Sequence, residues 1–448
     1  MSPSAARRLL LGSVWTFGIK FIGLFGGLLV NAILARLLST DEVGIYFLII
    51  SIAGFGAVLV RFGMQQTIVR FVAESVAVHT GGRARQTVAK VTGIVFLGSA
   101  LAGLALFSGV GNWLAYELFD APLLADLIGM LAALVLVIAY QTVVSESFRG
   151  LHQIPQASLF DTVLCTLVFA FMLVLRSVIG KVDLYDVLVL LVVANVLTNL
   201  TGAALLAGRF RALPGGGNTE VFELLRNSAP LLVNNVSFYF ISNAGLWVVG
   251  AYLPATDVAV YGAVVRLVSL VSISLWIVNM VVQPFIAEQN ALNRRRDLER
   301  VLRAAATLAG LPAFMVLLVV VFHGDVVMGM IYGAPYQAGG ALLAIYSLGH
   351  IVNVWTGACA NVLIYTGHQK TAMGISLVSG SISVLAAVLL VQPMGTMGVA
   401  LAMSVGFALQ NLATWWFAHQ QVGIWTHASV SVPDMIKAYR RAIGAWRK

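Results

Sequence analysis

Twelve apolar stretches, each long enough to cross a bilayer, take up nearly all of this 448-residue chain and leave no room for a sizeable soluble domain. A spanning helix needs about 20 mostly apolar residues. The stretches run 9–34, 43–63, 88–110, 123–145, 157–179, 184–206, 223–250, 257–284, 302–322, 339–364, 371–391 and 396–418. Composition agrees: 60% of residues are hydrophobic and 10% charged, whereas about a quarter carry charge in a soluble protein. The expected fold class is an all-α integral membrane protein with twelve transmembrane helices. Whatever the chain does, it does inside a membrane.

The remaining charges are sorted by side. Of 27 Lys and Arg, 22 fall in the even-numbered gaps and the two terminal segments, among them Arg61, Arg83, Arg149, Arg209, Arg295 and Lys437. The odd-numbered gaps hold only Arg36, Arg176 and Lys181, and Lys20 and Arg266 lie within spans. Cytoplasmic loops retain Lys and Arg, so both termini are expected in the cytoplasm. Eleven or thirteen helices would destroy the alternation. The net charge of +9 is explained by topology and does not call for a nucleic-acid partner. Arg7 and Arg8 before an apolar run could open a secretory signal peptide. That run is too long, however, and no small-x-small cleavage site precedes a mature domain, so it reads as a retained first helix. Cys165 and Cys359 both fall within spans and read as buried thiols, without a disulfide framework.

The sequence repeats. A shift of 215 residues places Leu9, Leu10 and Ser13 on Leu224, Leu225 and Ser228, and Glu42-Val43-Gly44-Ile45-Tyr46 on Asp257-Val258-Ala259-Val260-Tyr261. Phe119-Asp120-Ala121-Pro122 then answers to Tyr332-Gly333-Ala334-Pro335, and His152-Gln153 to His368-Gln369. Six spans per half is an even number, so both halves enter the membrane in the same direction. Such repeats are related by a pseudo-two-fold along the membrane normal, and transporters place substrate at their interface near the midplane. The domain reading is a six-helix lobe over 1–208, a linker over 209–222, a second six-helix lobe over 223–420 and a basic tail over 421–448. The linker contains Pro214-Gly215-Gly216-Gly217-Asn218. It reads as a flexible connection rather than a phosphate-cradling loop, since no Lys-Ser/Thr follows it and no strand precedes it.

Several short patterns carry a family resemblance. They are Ala35-Arg36-Leu37-Leu38-Ser39-Thr40-Asp41-Glu42-Val43-Gly44-Ile45-Tyr46 after the first span and its copy Val258-Ala259-Val260-Tyr261-Gly262-Ala263. Others are Ile331-Tyr332-Gly333-Ala334-Pro335-Tyr336, Leu363-Ile364-Tyr365-Thr366-Gly367-His368 and Met397-Gly398-Val399-Ala400-Leu401-Ala402. Weak singly and specific together, they make the chain resemble the polysaccharide transporter branch of the multidrug/oligosaccharidyl-lipid/polysaccharide (MOP) exporter superfamily over essentially its full length. The resemblance implies two six-helix lobes arranged as a V around a central cavity. It also implies flipping of an isoprenoid-pyrophosphate-linked oligosaccharide, of the undecaprenyl type, from the cytoplasmic to the periplasmic leaflet of a bacterial inner membrane. The implied partners are that lipid-linked oligosaccharide and membrane lipids, with polysaccharide polymerase and glycosyltransferases as further candidates. No cofactor is implied.

Ionisable groups inside the membrane are functional candidates by default, because a charge at the bilayer centre costs at least about 2.5–3.5 kcal/mol. Lys20 falls near the middle of span one and shares a helical stripe with Ser13, Thr16, Gly27 and Asn31. Its repeat partner is Asn235, beside Asn234, on a span with Ser228, Asn235 and Ser242 at seven-residue intervals. In span eight Arg266 adjoins an arc of Ser269, Ser272, Asn279 and Gln283. Small polar residues also permit close helix packing, so packing and cavity lining both stay open for Ser13, Thr16, Ser228 and Ser242. Lys20 and Arg266 show no acidic partner at their depth and are read as lining a hydrated cationic cavity, with Arg61, Gln65 and Gln66 at its mouth. Glu146 and Asp161 read as helix-end charges. A pyrophosphate offers acceptor oxygens to Lys and Arg, so such a cavity suits an anionic substrate.

After Pro433 the tail forms a basic amphipathic helix, with Met435, Ile436, Tyr439 and Trp446 opposite Lys437, Arg440 and Arg441. It suits an anionic leaflet, as an anchor or as a docking site for a partner enzyme. No Walker motif, metal-ligand cluster or catalytic constellation emerges, and a transporter is favoured over an enzyme. The closer rival is a drug/cation antiporter of the same superfamily, which calls for intramembrane Asp or Glu where this chain has Lys and Arg. Single cysteines near Asp120, Asp183 and Asp325 should react with an impermeant maleimide from outside intact cells, and cysteines near Arg83 and Arg295 should not. Reversal at any one site excludes the twelve-span topology.

Overall fold

The computed structural model describes residues 3–77, 81–211, 219–292 and 294–429, and these form helices joined by short turns. The linker residues Pro214–Asn218 and the tail beyond residue 429 lie outside the described residues. In the first half, α1 (Pro3–Leu37) and α2 (Thr40–Val60) are the first two spans, and α3 (Met64–Ala77) precedes the third, α4 (Gly81–Ala105). Two π-helical stretches (Leu106–Val110 and Trp113–Leu118) extend α4 past a break at Gly109, whose φ is 130°. Then come α5 (Pro122–Asp126) and α6 (Ile128–Gly150). The fifth span is assembled from α7 (Ile154–Ser158), a π-helical turn (Leu159–Val163) and α8 (Leu164–Ile179), and α9 (Leu184–Arg211) is the sixth.

The second half repeats the plan with α10 (Val221–Tyr252), α11 (Ala255–Ala291) and α12 (Arg295–Tyr332). After a 3-10 turn (Ala334–Gly339) follow α13 (Gly340–Thr356), α14 (Cys359–Tyr365) and α15 (Gln369–Val422). His323 breaks α12 (φ −134°, ψ 24°) at the place where Gly109 breaks the third span. The tenth span departs from its mate: it is interrupted at Gly357 (φ 71°), whereas α6 is continuous. That break divides the stretch expected as one helix over 339–364.

Among the described residues, eleven helices are long and apolar enough to cross a membrane, and the last of them, α15, holds 54 residues. It contains two spans. Gln410 Nε2 donates to Ser376 Oγ at 3.0 Å and Gln421 Nε2 to Thr371 Oγ1 at 3.2 Å. In a straight helix, residues that far apart in sequence would be separated by roughly 50 Å or more. The chain must therefore reverse, and it does so at Gly395 (φ 58°, ψ −144°), two residues after Pro393. The twelve expected spans are thus present, the eleventh and twelfth as an antiparallel hairpin.

Helix ends show why the motif after the first span is written as it is. Ser39 is the N-cap of α2: its Oγ accepts from the Glu42 amide at 3.3 Å, while Glu42 Oε2 accepts from the Ser39 amide at 2.8 Å. This reciprocal capping satisfies donors that a helix start leaves open. Glu42 Oε1 also accepts from the Leu184 amide at 3.3 Å, so one carboxylate fixes the starts of both α2 and α9.

Packing divides the chain into two compact units. The first runs through Asn243 and takes in Pro254–Ala259, and the second holds Ala244–Leu253 and the described residues from Val260 on. Most of α10 therefore packs with the first unit, so the packing boundary falls inside the seventh span while the repeat boundary lies in the linker before it. In each unit the segment after the sixth span of its repeat is tied to the start of the third. Thr219, fully buried, shares a hydrogen bond of 2.9 Å with Thr87 on α4, and Lys90 donates to its carbonyl. In the second unit Gly423 (φ 78°) turns the chain out of α15. Thr426 Oγ1 then donates to the Thr356 carbonyl at 2.6 Å, and Ser429 N to Thr307 Oγ1 at 2.8 Å. Trp425 stacks on His419 with centroids 3.7 Å apart, and Trp415 Nε1 donates to His427 Nδ1 at 3.1 Å.

Two measurements test this architecture. The backbone at Gly395 lies in a region that only glycine occupies without strain, so Gly395→Ala should cost about 1–3 kcal/mol. It should lower the thermal midpoint of the detergent-solubilised protein. His427 titrates below its ordinary value of 6.5, first because of burial and then because Arg303 stands beside it. A histidine held neutral in the fold supports it fully above that ordinary value, and the support fades as pH falls. Tryptophan emission should shift to the red between about pH 7 and pH 5, and His427→Gln should remove that shift.

Candidate functional site

In the first unit, five charged side chains from four segments gather around Lys20 and Arg61. Lys20 Nζ on α1 lies 3.4 Å from Asp161 Oδ2 in the π-helical turn of the fifth span, with 32% and 33% of the two side chains exposed. The contact depends on a close approach of backbones. A Cβ on Gly23, one turn along α1, would stand 2.6 Å from Val163 Cγ2, so any larger residue there would push the two segments apart. The reading of Lys20 without an acidic partner is therefore corrected: its partner is Asp161, which the sequence presents as a helix-end charge. The fifth span begins at Ile154, three residues before the expected 157, which carries Asp161 deeper into the span.

Arg61, at the C-cap of α2, donates through Nη1 to Thr142 Oγ1 on α6 and lies within electrostatic reach of Glu146 and Asp161. Glu146, 8% exposed, accepts from Arg149 Nη1 through both oxygens at 2.6 and 2.7 Å. Three cations (Lys20, Arg61, Arg149) thus face two carboxylates (Glu146, Asp161), and the cluster keeps a net charge of +1 by that count. It is partly neutralised and still cationic.

The other sequence candidates of this unit divide between packing and exposure. Ser228 is fully buried and hydrogen-bonded to Thr67 at 2.7 Å, which settles it as a packing group. Asn235 meets Gln66 at 3.4 Å, a loose contact, while Asn234 is exposed and Gln65 half-buried. Ser242 donates to the Phe238 carbonyl at 2.7 Å and Asn31 to the Gly27 carbonyl at 2.6 Å, each within its own helix. The side chains of Ser13 and Thr16 lie outside those described. Tyr239 OH donates to the Ser51 carbonyl at 3.1 Å.

In the second unit Arg266 Nη1 donates to the Gly262 carbonyl at 3.1 Å. Further along α11, Ser272 Oγ lies 2.8 Å from His350 Nδ1 on α13, and Asn353 Nδ2 donates to Ser272 Oγ at 3.4 Å. Gln283 Oε1 accepts from Tyr365 OH at 3.3 Å. The polar arc expected on the eighth span therefore continues onto the tenth through His350 and Asn353, neither of which stood out in the sequence. A histidine and an asparagine three residues apart in the interior of an apolar span were the available signal. The Lys20–Asp161 and Arg61–Thr142 contacts were missed because their partners are remote in sequence. Among the described residues, no group of three or more His, Cys, Asp or Glu could hold a metal ion, and Cys165 and Cys359 are free and buried.

The fold is that of an all-helical, multi-pass membrane protein. The sequence matches the family described as "Polysaccharide biosynthesis protein" over residues 9–290, more than half of its length, and the chain belongs to that family. A second family, MatE, matches residues 230–389. A curated relative, the "Probable low-salt glycan biosynthesis flippase Agl15" of Haloferax volcanii, is 23% identical over 237 residues. That match spans 50% of this chain and 49% of the relative, so the chain covers about half the length of the curated relative it matches. Among solved structures, an inward-facing MATE-family multidrug resistance transporter of the MOP superfamily superimposes with a TM-score of 0.75 at 12% identity. It covers 92% of this chain and 98% of that one. The lipid II flippase MurJ in an inward closed conformation gives 0.59 at 15% identity, covering 96% and 90%. At such identities these likenesses concern the fold alone.

Proposed function

We propose that this protein flips isoprenoid-pyrophosphate-linked oligosaccharide units across the bacterial cytoplasmic membrane, both termini cytoplasmic, to supply surface or extracellular polysaccharide synthesis. The observation that carries the reading is the sign of the deep charges. Lys20 and Arg266 place cations in the interior of spans from the two repeats, and the Lys20 cluster keeps a net positive charge despite its carboxylates. A pyrophosphate supplies several acceptor oxygens, and hydrogen bonds between ionised partners are roughly twice as strong as neutral ones. Alternating access would present the Lys20 cluster first to one leaflet and then to the other.

The name of the Haloferax relative and that of the lipid II flippase support a lipid-linked glycan as substrate. The multidrug transporter likeness supports the rival, a drug/cation antiporter. A cationic drug is the wrong charge for Lys20 and Arg266, which is why the flippase reading is preferred. No reaction is assigned: the residues that gather here bind and neutralise, and none is a nucleophile beside a base.

Lys20→Ala and Arg266→Ala should both insert and accumulate: neither adds a charge to the membrane interior, and Asp161, left without Lys20, stays within electrostatic reach of Arg61. Export of surface polysaccharide should fall to the level of a deletion strain, with lipid-linked oligosaccharide building up on the cytoplasmic side. Wild-type export from both variants would end the cationic-site mechanism. A deletion strain with unchanged surface polysaccharide and new sensitivity to cationic dyes would favour the antiporter.

A further inference from the structure

A carboxylate beside a cation that binds an anionic substrate looks like a liability, and Asp161 is such a carboxylate. Its geometry gives it a task. The Lys20–Asp161 contact is 3.4 Å, well beyond the 2.7–2.9 Å or so of a tight charge-assisted hydrogen bond. Both side chains are about one third exposed, so the pair stands open on one side and is not sealed in by packing. The neighbouring pair is different in kind, because Glu146 is buried and held by Arg149 through both oxygens at 2.6 and 2.7 Å. One carboxylate of the cluster is locked, and the other is loosely held and reachable.

We propose that Asp161 is a built-in surrogate for the substrate phosphate: it holds Lys20 in the empty carrier and is displaced when an anionic pyrophosphate arrives. The proposal rests on the reading of Lys20 as a phosphate contact and adds a second half to the cycle. A carrier that flips a lipid must also return empty, and a bare ammonium inside the bilayer is costly. Pyrophosphate neutralises Lys20 on the loaded leg, and Asp161 does so on the return leg. Because the two anions compete for one cation, Asp161 weakens substrate binding and speeds release. Arg61, within electrostatic reach of Asp161, limits the disturbance when that carboxylate is left without Lys20.

The experiment uses the full chain in lipid nanodiscs with radiolabelled inorganic pyrophosphate for binding. Proteoliposomes carrying a fluorescent undecaprenyl-pyrophosphate-linked sugar measure turnover. Asp161→Asn keeps the shape and removes the charge. It should tighten pyrophosphate binding by roughly two- to fivefold, the range expected of a partly exposed pair, while steady-state flipping slows. Lys20→Met should weaken binding in the same assay. If Lys20→Met binds as well as wild type, the phosphate-contact reading fails and this proposal with it. If Lys20→Met weakens binding but Asp161→Asn leaves it unchanged or weaker, the surrogate role alone is overturned. That role is equally overturned if Asp161→Asn binds more tightly and flips as fast as wild type. Should Asp161→Asn fail to accumulate, Asp161→Ser carries the same expectations.

Discussion

The rest of this structure is arranged around the cost of charge in a medium that cannot solvate it. Hydrocarbon offers neither water nor counter-ions, so each ionised group inside a span must find its partner within the protein. The first unit meets that demand with side chains from α1, α2, α6 and the π-helical turn of the fifth span, which bring Lys20, Arg61, Glu146, Arg149 and Asp161 together. Apolar packing alone would not dictate these helix positions. The register of the fifth span and the close approach of α1 at Gly23 both serve the meeting of charges.

The two units answer the same constraint differently. The second unit uses neutral hydrogen-bonding groups, from Ser272 to His350 and Asn353, and turns the Arg266 guanidinium onto a carbonyl of its own helix. A duplicated six-helix plan thus carries unlike chemistry in its two copies. The shared plan persists where only geometry matters. Breaks at Gly109 and His323 occupy corresponding places, and each repeat fastens its trailing segment to the start of its third span.

Much of the fold was legible in the sequence because its strongest signals, long apolar runs and sided charges, are themselves what a bilayer selects. The twelve spans, the repeat and the buried thiols follow from those signals. Less was legible where a feature depends on chain segments far apart. Lys20 and Asp161 are separated by 141 positions, and no periodicity of one helix reports on the register of another. The role of Ser228 was undecidable from its stripe, since a serine facing Thr67 and a serine facing water leave the same sequence pattern. The interruption at Gly357 was hidden for a related reason: apolar residues continue on both sides of it, and only backbone geometry records the break.

The reversal at Gly395 bears on how the chain is made. The eleventh and twelfth spans are joined so tightly that the backbone remains helical on both sides of one residue. A connector that short cannot reach across a bilayer, so the eleventh span cannot settle alone with the twelfth still waiting outside. The two must partition into lipid together, as a preformed helical hairpin. The final third of the second repeat is thereby a single unit of biogenesis, and a defect in either helix strands both.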